Sequence, residues 1–211
     1  AAEYSLNWLL ECFSKPTISL IDGAVMGSGV GISLYGTHRV AGERYKFAMP
    51  ETAIGLFPDV GVAHALARMP DEAGVYLGLT GAAIGRADAF ALGLVTHCVP
   101  AESFQDITAA LADADPVDPV LDGRHVDPGP GELATVRPVI ARCFAAGTVG
   151  EIIGRLRAEK GEHAGWAAKV AGDLERMSPL SLAVTLRHIC EARAMTLREV
   201  LEVDYRLACR F

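Results

Sequence analysis

One stretch, Met26 to Gly61, constrains this chain more than any other. It opens MGSGVGISLYG and closes FAMPETAIGLFPDVG. Gly27, Ser28 and Gly29 stand between a β-rich run and an apolar segment of helical length, so the backbone must turn sharply there and enter a helix. Such a turn leaves the first helical N–H groups unpaired, with the positive end of the helix dipole behind them. Amides placed in that way can hold a developing negative oxygen, and each is worth roughly 3–4 kcal/mol to a transition state that needs it. A strand-to-helix turn whose glycines serve packing alone accounts for the same residues.

Two acids follow in the same stretch. Glu51 comes after an expected strand and Pro50; Asp59 comes after Pro58, eight residues on. Each has a plain alternative: Glu51 complementing a helix N-terminus, and Asp59 capping a helix over 60–69. Taken together, an amide-bearing turn, a carboxylate just past a strand and a second carboxylate at the next turn form a site suited to attack on a carbonyl.

Composition narrows the surroundings. With 211 residues and 51% hydrophobic content, the chain can bury a core as one large domain or as a domain with an appendage. The net charge is −7 and the 19 basic residues are scattered, with no basic run among aromatics, so neither a nucleic-acid partner nor an acidic membrane surface is expected. No apolar run approaches the length of a membrane span, and no charged start leads into an apolar leader. Cys12, Cys98, Cys143, Cys190 and Cys209 form no CxxC pair, which fits a reducing compartment, and the six histidines lack metal-ligand spacing. Arg outnumbers Lys fifteen to four, as in GC-rich bacterial proteins, and a cytoplasmic location is expected on that basis.

Along the chain, residues 3–14 are apolar enough for a buried helix stopped at Lys15-Pro16, which predicts that upstream parts of the fold lie outside these residues. Strands are expected at 17–21, 38–41, 45–49 and 95–99, and helices from the glycine turn to Gly36 and at 60–69, 71–81, 86–93 and 100–114. The run DPVDPVLDGRHVDPGPG, 115–131, reads as a linker without regular structure. Beyond it come helices at 132–145, 148–160, 162–177, 179–194 and 196–211, with Ser178-Pro179 and a Thr196/Glu199 capping box as start signals. Leu197, Val200, Leu201, Val203 and Leu207 still want a partner, which predicts a continuation past Phe211. The pattern is an α/β part, 1–114, a linker, 115–131, and an all-helical region, 132–211.

KPTISLIDGAVMGSGVGISLYG, FAMPETAIGLFPDVG and LTGAAIGRADAFALGLVTHCV together resemble the crotonase (enoyl-CoA hydratase/isomerase) superfamily, and within it the 3-hydroxyisobutyryl-CoA hydrolase branch. The likeness covers about residues 3–104 and resumes at SPLSLAVTLRHI and TLREVLEVDYRLA. It implies a spiral of stacked ββα units, its N-terminal part missing here, that holds a coenzyme A thioester with the carbonyl oxygen between two backbone N–H groups. One donor falls at Ser28, between Gly27 and Gly29, where the branch usually has glycine; the other belongs to an upstream loop. Glu51 matches the branch's catalytic glutamate, Asp59 its catalytic aspartate, and Glu3 an acid near the substrate. A solvated helix position accounts equally well for Glu3. Crotonases often form trimers and hexamers through C-terminal helices, which leaves a homo-oligomer open.

Hydration of a double bond is expected to use a second glutamate about where Tyr76 stands, and hydratases carry Gly in place of Asp59. The resemblance therefore implies hydrolysis of a short 3-hydroxyacyl-CoA, of the 3-hydroxyisobutyryl type met in valine catabolism, with no cofactor, since coenzyme A is part of the substrate. A thiolate with a pKa of about 8.5 leaves without a strong general acid. Glu51 can attack the carbonyl to give a mixed anhydride or deprotonate a water, and Asp59 can hold the 3-hydroxyl, position the water or assist protonation. Two rivals stand beside this: hydration or isomerisation of an enoyl-CoA, and a non-catalytic fragment that works only with its missing N-terminal part.

Overall fold

The computed structural model describes residues 2–211. After α1 (Ala2–Glu11), β1 (Ile18–Ile21) and β2 (Ala24–Met26) bend around Asp22-Gly23 and lead into α2 (Ser28–Leu34). A second pass, β3 (His38–Ala41) and β4 (Lys46–Ala48), continues through a 3-10 turn (Glu51–Ile54) into α3 (Val62–Leu66) and α4 (Ala73–Thr80). A third pass supplies β5 (Ile84–Gly85), α5 (Arg86–Ala91) and β6 (His97–Cys98).

Each pass lays one strand on each of two three-stranded sheets. In the first, β1, β3 and β6 run parallel, with Ile18 opposite His38 and Val40 opposite His97. In the second, β2 and β4 run parallel, with Val25 opposite Phe47, and β5 closes antiparallel on β4. Parallel neighbours need long crossovers, which the helices provide. The corners stack as well: the Asp22 carboxylate accepts from the Arg44 backbone N and side-chain Nε, each at 2.8 Å. One corner later, Glu43 accepts from the Ala101 amide at 3.0 Å. This is a stacked ββα spiral.

Seven helices follow: α6 (Phe104–Ala112), α7 (Val117–Asp122), α8 (Arg137–Phe144), α9 (Val149–Ala158), α10 (Ala164–Glu175), α11 (Pro179–Ala192) and α12 (Leu197–Ala208). They share a core with the sheets, for Phe47, Leu66 and Leu79 lie in one apolar cluster with Phe144, Ile152, Leu174 and Ile189. Ser178 caps α11 by accepting from the Ser181 amide, and Thr196 and Glu199 close the expected capping box on α12. Among the described residues no helix is long and apolar enough to cross a membrane.

Several expectations are corrected. The run 115–131 contains α7: Pro116 sits at its cap and Pro119 in its first turn, where no N–H bond is lost. Burial of Val120 and Leu121 against Val40, Val99 and Ile107 outweighs the proline content. The helix expected from Asp71 starts at Ala73, because Asp71 and Glu72 are left-handed, their carboxylates held by Arg137 and Arg193. Glu132–Thr135 is a 3-10 turn separate from α8. Most of α1 is not buried: Leu6, Trp8 and Leu9 are 44%, 36% and 59% exposed, and its one fully buried side chain is Asn7. On α12, by contrast, Leu197, Val200 and Leu201 are buried, Leu197 and Leu201 with Tyr35, Tyr4, Leu10 and Leu34, so these three find partners within the chain.

Candidate functional site

Gly27 caps α2 at φ +50° and ψ −128°, a conformation that L side chains rarely adopt. A Cβ placed there would lie 3.7 Å from Glu51 Oε1, so the turn and the acid are immediate neighbours. Ser28 is exposed and Gly29 half-buried; their amides open α2, where N–H groups lack partners within the helix.

Glu51 begins the 3-10 turn directly after Met49, which is fully buried, and Pro50. Two bonds fix the turn: Thr52 Oγ1 donates to the Leu79 carbonyl at 3.0 Å, and the Glu51 carbonyl accepts from the Leu56 amide at 2.9 Å. One side-chain oxygen, buried Oε2, has no hydrogen-bond partner. An unmet buried carboxylate oxygen costs on the order of 1–3 kcal/mol, and such groups concentrate where a ligand is meant to satisfy them. Burial pushes the Glu51 carboxyl up to about 7; its own backbone N–H opposes the rise and the charge of Asp59 adds to it.

Asp59 does not cap a helix. The N-cap of α3 is Gly61, left-handed and without a side-chain cap bond, while the Asp59 carbonyl accepts from the Val62 amide at 3.1 Å. Its carboxylate accepts a hydrogen bond from Tyr4 Oη at 2.7 Å, reaching across from α1. Burial raises the Asp59 carboxyl, the Tyr4 bond lowers it, and the charges of Asp204 and Glu3 raise it again. Burial and the Asp59 bond push the Tyr4 phenol well up, so it stays a donor. Glu3, expected near a substrate, is exposed; the contact to the acid pair comes from its neighbour Tyr4, which sequence reasoning treated only as an apolar helix residue.

The segment after Asp59 is held in strain. Val60 is buried at φ +53°, which for a β-branched residue costs on the order of 1–3 kcal/mol, and Gly61 follows at φ +79°. Tyr35 Oη donates to the Val60 carbonyl at 2.5 Å, and the Gly61 amide donates to Asp204 Oδ2 at 2.6 Å. The Asn7 amide, oriented so that its nitrogen donates to the Gly31 and Glu3 carbonyls at 3.2 and 3.3 Å, ties α1 to α2 beneath this turn. Tyr76 is a core residue of α4, its ring 5.4 Å from Phe144 and 5.8 Å from Trp166, and no carboxylate stands at that position. Among the described residues no group of His, Cys, Asp or Glu could hold a metal ion.

Known proteins can be set beside this geometry. The chain is 40% identical over 99% of its length to 3-hydroxyisobutyryl-CoA hydrolase 1 of Arabidopsis thaliana, spanning 57% of that protein. It is 41% identical over 98% of its length to the mitochondrial 3-hydroxyisobutyryl-CoA hydrolase of Xenopus tropicalis, spanning 55% of it. A solved carnitinyl-CoA dehydratase from Mycobacterium thermoresistibile superposes with a TM-score of 0.91 at 38% identity, over 98% of this chain and 60% of its own. The chain thus spans little more than half the length of the proteins it resembles. The sequence pattern of the enoyl-CoA hydratase/isomerase family matches residues 1–211, and the chain belongs to that family.

Proposed function

We propose that this chain carries the reacting acids of an acyl-CoA thioester hydrolase, which converts a short 3-hydroxyacyl-CoA of the 3-hydroxyisobutyryl type, as in valine catabolism, to the free acid and coenzyme A. The observation that carries this is Glu51: a buried carboxylate with a partnerless oxygen, beside an amide-bearing glycine turn, with a second carboxyl oriented nearby by Tyr4. The thioester oxygen would rest on the amide at Ser28, and an ionised Glu51 would act on the acyl carbon either directly or by taking a proton from water. In both routes a new C–O bond forms and the C–S bond breaks. The thiolate that leaves takes up the proton lost by the water, and the net change is the addition of one water across the thioester. Asp59 would hold the 3-hydroxyl group or the water.

Similarity to a dehydratase keeps hydration as the rival, and the apolar setting of Tyr76, where that chemistry would want a carboxylate, speaks against it. No cofactor beyond the substrate's own coenzyme A enters this reading, and the five unpaired cysteines favour a reducing compartment such as the cytoplasm. With 3-hydroxyisobutyryl-CoA and a thiol-reactive dye, steady thiol release is expected, and with an unsaturated thioester, unchanged enoyl absorbance. Loss of enoyl absorbance without free thiol would replace hydrolysis by hydration. If coenzyme A gave neither heat nor a thermal shift on titration, a non-catalytic part would be the better description.

Tyr4→Phe tests the second acid. A hydrogen bond to a charged group is worth about 1.5–3 kcal/mol, so turnover is expected to fall about 10–100-fold. The lost donor also shifts the Asp59 carboxyl further up, because the bond favoured its ionised form. Rates measured across pH would show unchanged turnover if Asp59 has no part in the reaction.

A further inference from the structure

We propose that Asp204, backed by His188, is a positioning residue that aims Asp59 by fastening the 59–61 turn from the far end of the chain. The role rests on the reading of Asp59 and Glu51 as the reacting acids. Asp204 Oδ2 accepts from the Gly61 amide at 2.6 Å across 143 residues of sequence, and Oδ1 accepts from His188 Nε2 at 2.6 Å. Neither side chain reaches solvent to any extent, at 0% and 3% exposure. His188 Nδ1 has no hydrogen-bond partner, so the ring's one polar tie is to Asp204.

Helix packing alone does not call for this pair. Asp204 continues the buried stripe of Leu197, Val200 and Leu201, where an apolar residue would pack at lower cost than an acid. What the acid supplies is an acceptor for an amide that the left-handed backbone at Val60 and Gly61 turns inward, in a segment Tyr35 Oη grips at the Val60 carbonyl. On the other side, Phe57 sets its ring edge-on to His188, with centroids 6.2 Å apart and planes at 81°. Residues 57–61 are thus clamped between α2, α11 and α12, and Asp59 stands in the middle of the clamp. The charged and titratable groups facing this region are Tyr4 and Glu3 from α1, Glu51 from the 3-10 turn, Tyr35 at the end of α2, His188 from α11 and Asp204 from α12, and the charge of Asp204 raises the Asp59 carboxyl.

The test compares Asp204→Ala with Asp204→Asn, reading kcat and KM for thiol release and the carbon-13 titration of the Asp59 carboxyl, assigned by difference against Asp59→Asn. The Ala variant leaves the Gly61 amide without its acceptor and is expected to lose about 10–100-fold in kcat with KM nearly unchanged, the scale of a small displacement of a reacting group. Asn still offers an oxygen to Gly61, so kcat should return to within about 3-fold of wild type. The Asp59 titration should then move to lower pH because the facing charge is gone. A folded Ala variant with wild-type kcat, or folded Ala and Asn variants in which Asp59 titrates alike, overturns the proposal, because both lack the charge and only Asn keeps the bond to Gly61. Should the Ala variant not fold, hydrogen exchange at the Gly61 amide decides in the Asn variant: wild-type protection with kcat within about 3-fold supports the fastening, and wild-type protection with kcat lost overturns it. Should the wild-type protein release no thiol, the hydrolase reading fails while the difference in Asp59 titration between the two variants still judges the positioning.

Discussion

Glu51→Gln is expected to cut thiol release by about 10³-fold while raising the thermal midpoint at pH 8. Proton transfer by a placed side chain is worth about 10²–10⁴-fold, and Gln can neither accept a proton nor attack a carbonyl. The stability change runs the opposite way. Burial raises the Glu51 carboxyl from 4.5 to about 7, so between those values the folded chain binds a proton more tightly than the unfolded one. Stability contributed by this group is therefore present at low pH and lost as pH rises through 7. A neutral Gln avoids that loss, and the gain should shrink when melts are repeated at pH 5 and vanish below about pH 4. The wild-type rate should decline below about pH 7 as Glu51 takes up its proton. Near-normal turnover in the variant would remove Glu51 from the mechanism, and a lower midpoint at pH 8 would mean that its carboxylate is satisfied in solution.

Gly61→Ala should be strongly damaging, destabilising the chain by about 2–4 kcal/mol from overpacking and left-handed strain together. A Cβ there would meet Tyr35 Oη and Leu197 Cδ1, at 2.4 and 2.7 Å from its ideal position, and both groups are buried. Relief requires moving the turn, which breaks the Tyr35 and Asp204 bonds and swings Asp59 away from Tyr4. Urea unfolding with an unchanged slope and a shifted midpoint would measure the loss, and turnover should drop with it. A cost below about 1 kcal/mol would show that the 59–61 turn relaxes freely.

Where local chemistry dictates structure, the sequence was readable. Glycines around Ser28 placed α2, Ser178-Pro179 started α11, and Thr196 with Glu199 started α12. Short elements escaped notice: β2 has three residues and β5 two, too few for any periodicity to emerge. α7 was hidden by prolines that first-turn geometry tolerates, and α1 showed dense apolar residues whose exposure no local pattern reveals. Glu51 and Asp59 were found through motif, while their partners were not. Tyr4 looked like one more ring in an apolar helix. Asp204 and His188, however, carried a usable signal: both are polar residues at positions where the spacing of Leu197, Val200 and Leu201, and of Leu182, Thr185 and Ile189, calls for burial.

The bond from Gly61 to Asp204 also sets an order of events during synthesis. At about 5–20 residues per second, the ribosome needs roughly 7–30 s to pass from one to the other. During that interval β5, β6 and the helices that share the sheets' core are still being made and the aspartate loop stays unfastened, so competence arrives late, with the docking of α12.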